Sequence, residues 1–366
     1  MFIGITEEQI NQALKNIYNR VVDTTKEIEP TLFKHAQQNL NKSVDMAFGS
    51  VEFGTPDYDF VNQLKNNNAV FAAFKTHREQ NDLIPKLWDD KGKLRSFEEF
   101  KKANKHIVSK YDHWLRTEYN TAVVRARNAS NFKKFNRDAD LYPNLEWLPS
   151  TSIEPRDEHR KFYGLVLPIN DPFWQTHYPG NLWNCKCECG ITNTDKEPSK
   201  RTPTANYTPP QGLEENPASS GALFSNKNMY VKNAYRGAEE AVERHILKER
   251  RIEIREIAKE KFLNKKIELR SINKTVEFST KGIKEVINQP HKHYIKKNEA
   301  ILNIEELILK STLHLKNVKD KDKPNVRYHY LKTTIANETS YIVLKEDISV
   351  NRTRLYSIVD SIRKRK

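Results

Sequence analysis

Glu154-Pro155-Arg156-Asp157-Glu158-His159 leads to Asn184-Cys185-Lys186-Cys187-Glu188-Cys189-Gly190, and the reading of this stretch decides the rest. All three cysteines of the protein lie in its last seven residues. Between the two ends stand Phe162-Tyr163-Gly164, Asp171-Pro172-Phe173-Trp174, His177-Tyr178-Pro179-Gly180 and Trp183. Aromatics, prolines and glycines at this density predict a compact, loop-rich unit pinned by turns. Thiolates and imidazole are the usual ligands of tetrahedral Zn²⁺. His159, Cys185, Cys187 and Cys189 are therefore a candidate set for a structural zinc, which Asp157 or His177 could complete. Geometry limits the set, because four residues of strand rise roughly 13 Å and Cys185 reaches Cys189 only through a turn. The spacing also lacks the Cys-x-x-Cys pairs of ordinary zinc ribbons. The other reading makes the cysteines small, reduced, half-buried residues and His159 a hydrogen-bonded core histidine. Both readings stay open here, and neither makes an enzyme.

Arg156-x-x-His159, Gly164, Asp171-Pro172-Phe173-Trp174, Pro179-Gly180 and Asn184-Cys185-x-Cys187 resemble, in order, the phage Mu F-like head-morphogenesis (minor capsid) domain. Upstream, Arg116-Thr117-Glu118 is similar to that family's Arg-Thr-Glu segment. The resemblance covers roughly residues 1–195. It implies a minor head protein that sits near the portal and assists capsid assembly and DNA packaging or delivery. Portal and capsid proteins would be its partners. Its place would be the virion, in the head interior or portal region, after synthesis in the host cytoplasm. Cys189 is additional to the family's basic pattern.

At 366 residues the chain is longer than one typical domain. A formal charge of +14, a pI near 9.4 and a mean hydropathy of −0.80 favour polyanionic partners, nucleic acid above all. Hydrophobic residues make up 37%, ample for packed cores. No run approaches the roughly 18–20 apolar residues of a membrane span, and Met1-Phe2-Ile3-Gly4-Ile5 does not read as a secretory signal. Cys-x-Cys-x-Cys cannot build a disulfide framework, which predicts a reducing compartment.

Two capping boxes, Thr6-Glu7-Glu8-Gln9 and Ser96-Phe97-Glu98-Glu99, announce helices. The first carries Ile10, Leu14, Ile17 and Val21, and the second runs to about residue 132. A further helix is expected over Glu27–Phe48. Residues 49–70 read as loop and broken helix, with Gly49, Gly54 and Pro56, and a short helix follows over Asn68–Gln80. Residues 195–235, with Lys196-Glu197-Pro198, Pro203, Pro209-Pro210 and Pro217, read as a linker with little to bury, although Leu223-Phe224 could strap across the preceding domain. The expected domains are 1–194, the linker 195–235, and 236–366.

The last part opens with a charged helix, Ala238–Leu263, and continues as an α+β unit. Thr275–Ser279 alternates as a strand, and Glu299–Leu313 reads as a buried helix. Lys316–Asn325 reads as a charged loop. Three strands follow, Arg327–Thr334, Ser340–Leu344 and Arg354–Val359, as a small antiparallel sheet. His291, His293, Arg327, His329 and Tyr356 are the inventory a metal-independent ribonuclease needs: groups to take and give protons, and cations to steady the phosphate. Lys292, Tyr294 and Tyr328 are candidates to hold nucleic acid, RNA or packaged DNA. The order of elements, and Gly282–Asn288 in particular, is similar to phage-associated nuclease-like domains of the barnase, EndoU, colicin and RelE type and to related polyvalent phage domains. That resemblance implies an RNase-like effector carried by a head protein, with an immunity protein as a further partner. The alternative is a purely structural head protein whose basic C-terminal domain binds nucleic acid without cutting it.

Overall fold

The computed structural model describes residues 1–51, 55, 57–192, 197–199 and 207–362. Gly54, Pro56, Lys196 and Pro203, on which parts of the loop and linker readings fall, lie outside them. The chain divides into two compact units, Met1–Ile246 and Leu247–Lys366. Among the described residues no helix is long and apolar enough to cross a membrane.

The first unit begins with α1 (Glu7–Tyr18), α2 (Pro30–Phe48), α3 (Tyr58–Leu83) and α4 (Phe97–Arg137). Both capping boxes form: Thr6 and Gln9 close the start of α1, and Ser96 and Glu99 that of α4. Leu14, Ile17, Leu83 and Phe100 meet in one core cluster, while Phe33, Leu40, Phe71 and Leu115 belong to another. The broken helix expected before residue 70 is instead continuous in α3. Its buried residues ring the axis, so no amphipathic stripe marks it in the sequence. Two of its asparagines reach beyond the helix: Asn67 exchanges hydrogen bonds with the backbone of Phe224, and Asn68 Nδ2 donates to Asn41.

A three-stranded antiparallel sheet follows, ordered β2-β1-β3 from β1 (Asn144–Leu148), β2 (Val166–Pro168) and β3 (Glu188–Thr192). The short helices α5 (Asp157–Arg160) and α6 (Phe173–Thr176) sit in its connections. Trp147, Phe162, Phe173 and Trp174 fill its core with the three cysteines.

Residues 207–235 differ from the linker reading. They carry α7 (Pro217–Ser220) and α8 (Met229–Lys232), and Leu213, Leu223, Phe224 and Tyr230 are buried. Phe224 stacks on Phe71 with ring centroids 4.1 Å apart. Tyr230 donates to Glu118 and lies 2.9 Å from Lys75 Nζ, itself paired to Glu118 at 3.0 Å. The segment is a strap, as Leu223-Phe224 suggested, and its other apolar residues stand at irregular intervals, which is why their periodicity marks little to bury. From there α9 (Ala238–Phe262) carries the chain across the division between the units.

The second unit adds β4 (Lys266–Leu269), β5 (Lys274–Glu277), α10 (Thr280–Asn288), α11 (Tyr294–Ala300), α12 (Ile304–Lys310), β6 (Thr312–Lys319), β7 (Val326–Ile335), β8 (Glu338–Asp347) and β9 (Arg352–Val359). They form a six-stranded sheet in the order β4-β5-β9-β8-β7-β6. It is mixed rather than purely antiparallel, because β5 and β9 run parallel. The helix expected over Glu299–Leu313 breaks at Ser311, and Leu313 belongs to edge strand β6, whose residues are almost all exposed. Ala336 and Asn337, both at positive φ, make the two-residue β7–β8 turn. Helix α10 rests so closely on β9 that a Cβ at Gly282 would stand 2.3 Å from the Leu355 carbonyl oxygen.

Glu79 on α3 is 7% exposed, and burial pushes its carboxyl up to about 8, with Lys75 opposing and Glu118 adding. A folded value above the ordinary 4.5 gives stability that is complete below that pH and drains as pH rises through about 8. All five tryptophans lie in the first unit, so their fluorescence reports its unfolding alone. Denaturation midpoints are expected to fall from pH 5 to 8, and Glu79→Gln to flatten that fall; equal slopes for both proteins would contradict it.

Candidate functional site

Thr121, Arg125 and Asn128 stand four and three residues apart on α4, so their side chains share one helix face. That face holds irregular backbone. Thr121 Oγ1 accepts from the Asn184 N–H at 3.0 Å. Arg125, 1% exposed, donates to the carbonyls of Leu223 (2.7 Å), Glu215 (2.7 Å), Leu213 (3.2 Å) and Gly180 (3.3 Å). Asn128 Nδ2 donates to the carbonyls of Pro179 (3.0 Å) and Cys187 (3.2 Å). Gly180 sits at φ +95°, and a Cβ there would lie 3.1 Å from Arg125 Cγ, so both conformation and space call for glycine. Burial pushes the Arg125 guanidinium down to about 10, still charged at neutral pH.

The same face therefore presents the cysteines. His159 on α5, Cys185 and Cys187 are all buried, and their ligand atoms lie within 4.8 Å of one another. His159 Nδ1 is 3.3 Å from Cys185 Sγ and 3.6 Å from Cys187 Sγ. A tetrahedral zinc with ordinary Zn–N and Zn–S bonds sets that edge at about 3.6 Å, so these three residues suit three of the ion's four positions. Tyr207 donates its hydroxyl hydrogen to Asn181, and its oxygen lies 3.0 Å from His159 Nε2. The hydroxyl thus accepts from Nε2–H, which leaves Nδ1 as the bare nitrogen facing the sulfurs. The hydrogen bond from Cys187 holds the Cys185 thiol well below its ordinary range, with His159 adding to it against burial, while that same bond and burial push Cys187 up. Cys185 also borders a cleft of about 910 Å³ whose walls include Arg127, Arg156, Glu158 and Lys186.

Cys189 does not join the group. It lies within β3, paired across the sheet with Trp147, and burial pushes its thiol up. Beyond Cys187 the chain runs as strand, and the rise along it carries Cys189 away. Nor do Asp157 and His177 complete the set: Asp157 is exposed and paired with Arg160 at 3.0 Å, and His177 stacks on Phe173 at 4.7 Å.

In the second unit the structure separates the ribonuclease inventory. His329 Nδ1 accepts from the Asn317 N–H (3.4 Å), and Nε2 lies 2.9 Å from Glu346 in a fully buried pair that Lys274 joins at 2.7 Å. Burial raises the Glu346 carboxyl, but hydrogen bonds from Lys274 and His329 outweigh it and leave a net lowering. His291 Nδ1 accepts from the His293 N–H (2.9 Å), and Nε2 lies 3.2 Å from Ser340 Oγ. His293 Nε2 lies 3.2 Å from Glu338, which also binds Lys292 at 2.9 Å. Arg327 donates to the carbonyls of Pro324 and Val326. Tyr294 lies beneath the cations of Lys297 and Arg251, at 4.8 and 5.7 Å.

What does converge is a cleft of about 1060 Å³ on one sheet face, bordered by His291, Lys319, Lys321, Tyr328, Tyr330 and Tyr356. His291, Tyr328 and Tyr356 were legible as candidates. Lys319 and Lys321 were not, because β6 is an exposed edge that reads as charged loop. The alternation of Leu313 and Leu315 in β6 was the signal available. Residues 247–366 hold 29 lysines and arginines against 16 aspartates and glutamates, a balance of +13 within the chain's +14.

Two parts of the chain are similar to known families. Residues 92–189, from the turn before α4 to Cys189, match the family described as Phage Mu protein F like protein. Residues 246–356 match Large polyvalent protein-associated domain 3. The Mu F-like match is thus narrower than the 1–195 suggested by motifs, and the C-terminal match is to a polyvalent-protein domain. Among curated relatives, the "Putative capsid assembly protein F" of Escherichia phage Mu is 38% identical over 73 residues, 20% of this chain and 17% of the relative. The "Mu-like prophage FluMu F protein" of Haemophilus influenzae is 30% identical over 73 residues, 20% of this chain and 18% of the relative. The chain therefore spans less than a fifth of the length of these relatives. No solved structure matches the chain.

Metal analysis of the full-length protein purified from zinc-containing medium is expected to find one Zn²⁺ per chain. His159→Ala and Cys187→Ser should lose it and unfold at lower denaturant, whereas Cys189→Ser should keep it. Metal-free wild type, or loss in Cys189→Ser alone, would contradict this.

Proposed function

We propose that the protein is a phage or prophage head-assembly protein that docks near the portal and whose C-terminal unit holds nucleic acid. The observation that carries the first part is the coincidence of the 92–189 match with α4 and the His159–Cys185–Cys187 cluster, the parts that hold each other in place. A zinc bound there would act structurally, tying the α5 loop to the segment ahead of β3. The partners are portal and capsid proteins, and the location is the virion, reached after synthesis in the host cytoplasm.

The second part rests on charge. Nearly all the net positive charge belongs to the unit that carries the tyrosine-lined cleft. Holding is favoured over cutting because His291 and His329, two of the three candidate histidines, have both ring nitrogens engaged within the fold. RNA cleavage in EDTA that disappears with His291→Ala would reverse this preference and restore the RNase-like effector, with an immunity protein as its partner.

Two measurements test the proposal. Purified DNA-filled heads of the phage or prophage that encodes the chain are expected to contain it, and Cys185→Ala/Cys187→Ala heads to lack it; recovery only outside particles would overturn the head assignment. The full-length protein should bind nucleic acid with affinity that falls steeply between about 50 and 200 mM salt. No binding at the lower salt would overturn the C-terminal assignment.

A further inference from the structure

We propose that the cleft-lining sheet face of the second unit binds single-stranded nucleic acid, with bases stacked on Tyr328, Tyr330 and Tyr356 and phosphates met by Lys319 and Lys321. This rests on the reading of that unit as a nucleic-acid holder and names the form of ligand it takes.

Register builds the face. Tyr328 pairs with Lys345 and Tyr330 with Val343 across β7 and β8, while His329 pairs with Leu344, whose side chain is fully buried. Alternation therefore sends the tyrosines to one side and His329 to the other. On the neighbouring strand, Tyr356 falls at the register shift between the Val343 and Leu344 pairings, and its ring lies 5.7 Å from that of Tyr328. Lys345 Nζ stands 5.6 Å from the Tyr356 ring centroid.

Both ends of the face are fixed. The Tyr328 hydroxyl donates to Asp320 at 2.9 Å, holding the lysine-bearing segment after β6. Opposite, the fully buried Lys297 ammonium donates to the carbonyls of Val286, Ile287 and Gln289 and sets the turn that presents His291.

The cleft, about 1060 Å³, has room for a length of chain. Aromatic rings offer stacking to unpaired bases, whose faces a duplex keeps within its own stack. Cations beside the rings suit the phosphates between them.

Fluorescence anisotropy of the full-length protein with a short labelled single-stranded RNA, the same sequence as DNA, and duplexes of each tests this. The single strands should bind more tightly than the duplexes. Tyr330→Leu and Tyr356→Leu should each weaken single-strand binding by roughly 5- to 100-fold, and Tyr330→Phe and Tyr356→Phe should retain it, which separates stacking from folding. Equal affinity for both single strands supports the proposal, and a preference for RNA supports it with an added contact to the 2′-hydroxyl. Duplexes bound as tightly as single strands, or leucine variants that bind like wild type while Lys319→Ala and Lys321→Ala weaken, would overturn stacking yet leave a nucleic-acid holder. Failure of every probe at low salt would remove the underlying reading as well.

Discussion

The first unit depends on one buried guanidinium. Arg125 reaches four carbonyls that belong to no strand or long helix, at Gly180, Leu213, Glu215 and Leu223. Backbone acceptors buried away from water are costly unless paired. A planar fork with five donors suits several acceptors at once in a way an ammonium does not. Thr121 and Asn128, one turn to either side, extend the same face to Asn184, Pro179 and Cys187. A regular helix thereby serves as template for an irregular segment, and the cysteines inherit their positions from it.

The His159 cluster follows from that template. Cys185 and Cys187 arrive as a pair because Asn128 grips the Cys187 carbonyl, and His159 turns Nδ1 toward them because Tyr207 occupies its other nitrogen. Tyr207 itself begins the described part of the strap. The strap thus takes part twice, clamped by Arg125 and orienting the histidine. It is a component of the site, although its prolines and glycines resemble those of a tether.

Legibility in the sequence followed the physics of each element. Local signals worked: Thr6 and Ser96 marked helix starts, and strands β7 to β9 showed their alternation. Period-based signals failed where burial was not one-sided, as on α3, or where an edge strand buried almost nothing, as on β6. In the site, three of the four proposed ligands converge, because a histidine and a Cys-x-Cys pair can meet across a turn. Cys189 was excluded by the rise of a strand, a limit already contained in its spacing. The catalytic reading of the second unit's histidines rests on residue type and on the order of elements. The opposite faces of His329 and the tyrosines on β7 follow from strand alternation, whereas the partners of the His291 and His329 ring nitrogens depend on tertiary contacts that composition does not carry.

The two units differ in charge: one is nearly neutral and built around buried polar contacts, while the other carries +13 and a tyrosine-lined cleft. The central claim concerns the first: the α4 face makes irregular backbone as rigid as helix. Amide hydrogen exchange of the native full-length chain tests it most directly. The account predicts that amides over 179–187 and 212–225 exchange as slowly as those of α4 around Arg125, and that Arg125→Lys accelerates both segments together. Fast, loop-like exchange in the wild type, or acceleration of one segment without the other, would contradict it.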